Sequence, residues 1–151
     1  MKTLLRVSAI SLFTFVCLLS LHATPVKEVI TKEQALKEIS KIKKETRQHV
    51  VAIGEIEKFA RESTTNFSNF VLYAQLASKV GYHTDMYVRL AEATSKLTEE
   101  NEVLNELADL VQIPDLGTDR FEALLNAAIS AKSAEEKDRV LQQIVAIRDA
   151  L

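Results

Sequence analysis

The chain has 151 residues with 19 basic and 21 acidic side chains, a formal net charge of −2, one cysteine, three glycines and two prolines. That balance argues against nucleic-acid binding, whose bulk affinity rests on an excess of Lys and Arg against phosphate. A single cysteine excludes a disulfide-built scaffold, and so few breakers imply long helices joined by short connections.

The first residues follow the order of a secretory signal. Lys2 and Arg6 make a positive start, and Val7 to Leu21 is an uncharged, mostly apolar run. Ala23 then supplies the small residue before a cut. The apolar run is 15 residues, shorter than the roughly 20 of a bilayer-spanning helix. Cys17 follows Val16 rather than a small residue, so it reads as one more apolar position and not as a site of lipid attachment. The expectation is a cleaved signal peptide over 1–23 and a single mature domain over 24–151, periplasmic or secreted, meeting a membrane only through the signal peptide. Without Lys2 and Arg6 the mature part keeps 17 basic residues against 21 acidic ones, a net charge of −4, and it has no cysteine. Its own apolar core must therefore hold it together.

No stretch alternates with period two, so the expected fold is all-α. Thr31 with Gln34 forms a capping box that starts the first helix. Ala35, Ile39, Ile42, Thr46, His49, Ile53, Ile56 and Ala60 then recur at spacings of three and four, a heptad seam. It predicts one long, coiled-coil-like helix over 32–61, with Gly54 marking a bend or a close crossing. Ser63 to Asn66 is a cluster of capping residues, followed by a second helix over about 66–80 that Gly81 closes with a left-handed cap. A third helix runs from Thr84 to about 112, with a possible kink at Thr98–Asn101, and Pro114 and Gly117 end it. Asp119 with Glu122 and Ser133 with Glu136 open two short helices. No internal repeat stands out. The predicted architecture is an up-and-down bundle of four to five amphipathic helices.

Motifs that carry chemistry are missing. There is no Glu-x-x-His pair, no Cys-x-x-Cys-His, no Gly-x-Ser-x-Gly elbow and no glycine-rich phosphate loop. No cofactor or metal is expected, and an enzyme is the least favoured class. His83 and Met86 are a lone soft-metal pair, with His83 better read as part of a polar connection and Met86 as core. His49 sits in the apolar seam, where a buried polar layer that sets helix register is favoured over a ligand contact. Phe67, Phe70, Tyr73, Tyr82 and Tyr87 gather in one stretch, either as the aromatic end of the core or as the mouth of a site for an apolar ligand or partner. Basic residues crowd the first helix at Lys37, Lys41, Lys43, Lys44 and Arg47, while Leu97 to Asp119 carries seven acids and no base. Two solvated faces that attract each other in an antiparallel packing are the favoured account.

These observations point to an exported, non-enzymatic helical interaction protein. Its candidate binding residues are Phe67, Phe70, Tyr73, Tyr82, Tyr87 and His49. Its candidate assembly seam is Ile39, Ile42, Ile53 and Ile56, which would meet a protein partner or a second copy in a homodimer. The alternative is a carrier that holds an apolar, lipid-like molecule between the helices.

Overall fold

The computed structural model describes residues 29–151, so the expected signal peptide and its cut lie outside the described residues. Among the described residues there are seven helices and no strand. They are α1 (Lys32–Glu45), α2 (Val50–Glu62), α3 (Phe67–Val80), α4 (Thr84–Ser95), α5 (Val103–Leu110), α6 (Thr118–Ser130) and α7 (Ala134–Ala150). The all-α expectation holds. There are more helices than expected because two of the long ones are each divided.

The helix expected over 32–61 is two helices. Thr46 takes extended backbone (φ −97, ψ 122) and His49 turns left-handed (φ 62, ψ 22), so α2 folds back on α1. No glycine or proline marks this turn; histidine is one of the few non-glycine residues enriched at such angles. The heptad seam ran through the break because Thr46 and His49 happen to keep its phase, and both are only half-buried. Ile39, Ile53 and Ile56 are fully buried and Ile42 is partly so, all packed in one core within a single chain. The long coiled-coil helix does not exist, and its seam is closed without a second copy. The third expected helix divides likewise into α4 and α5, across residues 96–102.

The caps behave unevenly. Thr31 and Gln34 make the full reciprocal box at α1. Gly81 closes α3 at φ 77. At α7 the Ser133 hydroxyl accepts from the Glu136 amide, while the Glu136 carboxylate accepts from the amide of Lys132, one residue beyond the box. The box expected at Asp119 is absent, since α6 starts at Thr118 and its cap is Gly117, two residues earlier. Gly54 lies within α2 with nothing within 4 Å of where a Cβ would stand, so no helix crosses closely there.

Among the described residues each helix packs on the next one and on the next but one, and on no other. Lys32, at the start of α1, donates to the Arg61 carbonyl at the end of α2. Tyr73 on α3 meets Thr94 on α4, so sequence neighbours run antiparallel. Helices two apart therefore run parallel, in two layers: α1, α3, α5, α7 and α2, α4, α6. Successive helices alternate in direction, but α1 does not meet α4 and no closed bundle forms among the described residues. The result is an open stack of helical hairpins, the arrangement of a solenoid.

A repeat accompanies it. Val50, Thr84 and Thr118 open the three helices of the second layer, 34 residues apart each time. In that register Ile53, Tyr87 and Phe121 are equivalent, as are Ile56, Leu90 and Leu124, and Ala60, Thr94 and Ala128; all nine are buried. Each large apolar side chain of this kind contributes about 1.5–3 kcal/mol when removed from water, and the small third position lets neighbouring helices approach. Thr94 is tolerated there because its hydroxyl donates to the Leu90 carbonyl within its own helix. The register position of Ala91 and Leu125 is Glu57 in α2. That buried carboxylate accepts from Ser40, Lys43 and Arg61 at 3.2–3.3 Å. Burial pushes its pKa up, and those hydrogen bonds with the Lys43 charge outweigh it, leaving the group below its ordinary value.

Candidate binding surface

The turns at 46–49, 81–83 and 111–117 share one end of the stack; those at 63–66, 96–102 and 131–133 share the other. Three asparagines tie the second end. Asn66, left-handed at φ 62, donates through its amide to the Glu99 carbonyl and accepts from the Asn101 amide. Asn69 donates to the Asn101 carbonyl. The Asn101 side chain donates to the Ala128 carbonyl near the end of α6 and accepts from the Val103 amide at the start of α5. One side chain thus satisfies orphan groups at two helix ends. Asn66 also heads the only Asn-x-Ser/Thr sequence of the chain, Asn66-Phe67-Ser68, and its amide is buried in this network.

At the first end, the Tyr82 hydroxyl donates to the Gln112 carbonyl and His83 Nδ1 lies 2.9 Å from the Val111 carbonyl. With the proton on Nδ1, both side chains donate to carbonyls just past the C-terminus of α5. Their rings meet edge to face at 5.1 Å. His49 Nε2 is buried without a partner among the described residues, beside Gly81, where a Cβ would stand 3.6 Å from it. Beside it a groove of about 420 Å³ opens between the first turns of α2 and α4, lined by His49, Val51, Ala52, Glu55, Thr84, Asp85 and Val88. Large apolar side chains stand in solvent here: Val50 is 42%, Val51 79% and Tyr82 39% exposed. The other exposed large apolar residues, Val29, Val145 and Leu151, lie near the ends of the described chain.

The aromatic residues expected to form one site are dispersed. Phe70, Tyr73 and Tyr87 are fully buried in the core. The Phe70 and Tyr73 rings pack edge to face at 6.0 Å, and the Tyr73 hydroxyl bonds Thr94 at 2.9 Å. Burial raises the pKa of both Tyr73 and Tyr87, Tyr87 further through Tyr82 and Asp109. Phe67 sits at the asparagine end with the Lys32 ammonium 5.8 Å from its ring centroid. Of the five aromatics only Tyr82 reaches the surface beside His49. His49 itself caps a turn and is not a register-setting layer inside a long helix. Met86 is buried core, and His83 spends Nδ1 on a carbonyl.

The charges are also arranged differently from the expectation. α1 does not touch α5 or α6, so Lys37, Lys41, Lys43 and Lys44 do not pack against the acids Glu106, Asp109 and Asp119, while Lys32 and Glu100 line one hollow at the asparagine end. Lys43 is held by Glu57, whereas Lys37, Lys41 and Lys44 have no ion-pair partner among the described residues. Among the described residues no group of three metal-capable side chains comes together, and no helix is long and apolar enough to cross a membrane. No family model, curated protein or solved structure matches the chain.

Val51, Glu55, Asp85 and Val88, which line the groove, do not stand out in the sequence. The signal available was the adjacent pair Val50-Val51, of which Val51 falls opposite the apolar stripe of Ile53, Ile56 and Ala60. What the groove offers is apolar contact and negative charge. It has no nucleophile with an activating base.

Proposed function

We propose that the protein is an exported polypeptide-binding module that works by presenting the surface of a helical stack and performs no catalysis. The observation that carries this reading is the contact pattern of next and next-but-one helices. Such a stack is two layers thick, so its capacity for recognition lies on long outer faces and on the grooves between parallel helices. The packing of Phe70, Tyr73 and Tyr87 supports the same reading, since the side chains a carrier would use to line a lumen fill the core instead. Export rests on Lys2, Arg6, the apolar run to Leu21 and Ala23.

The two terminal helices of the stack present polar faces. α1 turns Glu33, Lys37, Lys41 and Lys44 to solvent, and α7 turns Glu135, Asp138, Arg139, Gln142 and Asp149. Solenoids need such faces at their terminal helices to stay soluble. That favours a heterologous partner over a homodimer built on the buried isoleucine seam.

Native mass spectrometry of the protein recovered from the exported fraction tests this. The expected species is the chain from Thr24 to Leu151 with a second polypeptide bound. A lipid-sized mass that leaves on denaturation replaces the reading with a carrier, and an uncut chain overturns the export assignment.

A further inference from the structure

We propose that the groove between the first turns of α2 and α4 docks a polypeptide segment presenting an apolar side chain beside a lysine or arginine. The proposal rests on the polypeptide-binding reading above and assigns it a site and a partner chemistry.

Three features converge on that groove. Its floor is apolar, from Ala52 and Val88, and Val51 stands at its mouth almost wholly in solvent at 79% exposure. An exposed valine at the mouth of a concave surface recovers burial only when something covers it. Its rim is negative. Glu55 and Asp85 line it, neither has an ion-pair partner among the described residues, and no Lys or Arg lines it. The nearest candidate on α4, Arg89, is held by Glu122 at 3.2 Å and Glu92 at 3.6 Å. Its wall carries unused hydrogen-bonding capacity from α2, whose first turn has no side-chain cap and no acid. The free amides of that first turn suit the backbone carbonyls of an incoming chain. A cation next to an apolar anchor satisfies floor and rim together, whereas an acidic segment would meet Glu55 and Asp85 at short range.

The test uses the mature chain and two labelled peptides of equal length, one alternating Leu and Lys and one alternating Leu and Glu. Binding is read by fluorescence anisotropy, and its place is mapped by amide chemical shifts. The expected result is binding of the Leu/Lys peptide with shifts at Val51, Ala52 and Val88. Asp85→Lys and Val51→Asp should each weaken it by about tenfold. Both positions are exposed, and circular dichroism checks that helicity is kept. Glu99→Lys, at the opposite end of the stack, should leave affinity within about twofold. An equal loss from Glu99→Lys, or no loss from Asp85→Lys and Val51→Asp, overturns the site. Binding of the Leu/Glu peptide at Lys37 and Lys41 instead overturns the groove while the polypeptide-binding reading stands. Failure of both peptides to bind anywhere overturns both.

Discussion

Asn101→Ala removes two hydrogen bonds at a place where three hairpins meet. The side chain donates to the Ala128 carbonyl at 3.1 Å and accepts from the Val103 amide at 3.1 Å, and Asn101 is only 6% exposed. Each bond contributes about 1 kcal/mol net, and each partner left unsatisfied in a buried place adds up to a similar cost. The expected loss is therefore about 2–4 kcal/mol, a large share of the roughly 5–15 kcal/mol that holds a domain of this size. The backbone bonds of Asn101 to Asn66 and Asn69 persist. The damage thus falls on the junction of α5 and α6 with the helices before them. In a stack joined only through near neighbours, weakening one junction uncouples what lies on either side. Urea unfolding followed by circular dichroism should show an earlier midpoint and a broader or two-step transition, with amides of α6 and α7 exchanging before those of α3. A parallel shift of less than about 0.5 kcal/mol with unchanged slope would refute the reasoning.

Gly54→Ala should raise stability by up to about 1 kcal/mol, since the position is helical and the space beside it is empty; thermal melting decides the sign. Tyr87→Phe removes a fully buried hydroxyl that has no partner among the described residues, at the position where the next hairpin already carries Phe121. A gain of about 1 kcal/mol is expected in denaturant titration. Glu57 has a folded-state pKa below its ordinary value of 4.5. Its contribution is therefore complete above pH 4.5 and is lost as the pH falls from there through the lower folded value. Glu57→Gln should cost about 1 kcal/mol near neutral pH and flatten that part of the stability–pH curve. A curve with the same slope as the parent below pH 4.5 would remove Glu57 from the account.

The helical class, the α1 box, the α3 stop at Gly81 and the start of α7 at Ser133 were readable because each depends on local chemistry. The turn at 46–49 was not. It uses a histidine where glycine or asparagine is usual, and the residues on both sides of it keep a common heptad phase. The repeat escaped for a different reason. Burial asks only for size and polarity, so Ile53, Tyr87 and Phe121 occupy one structural position without resembling one another. The segment Thr84-Asp85-Met86-Tyr87-Val88-Arg89-Leu90 does echo Thr118-Asp119-Arg120-Phe121-Glu122-Ala123-Leu124, and that pair was the trace to follow. The surface groove was the least readable part, because it joins residues of α2 and α4 that only the parallel packing of alternate helices brings side by side.

The separation of Lys37, Lys41 and Lys44 from Glu106 and Asp109 on α5 gives the molecule an electric dipole along the direction of stacking. Two interhelix steps of about 8–10 Å part α1 from α5, about two screening lengths in physiological salt. The two poles therefore do not cancel in solution. A charged partner arriving by diffusion feels a torque before it feels a contact, and turns its cationic side toward the acidic half and its anionic side toward α1. Orientation on approach is then a property of the whole stack, and added salt removes it while leaving the fold in place.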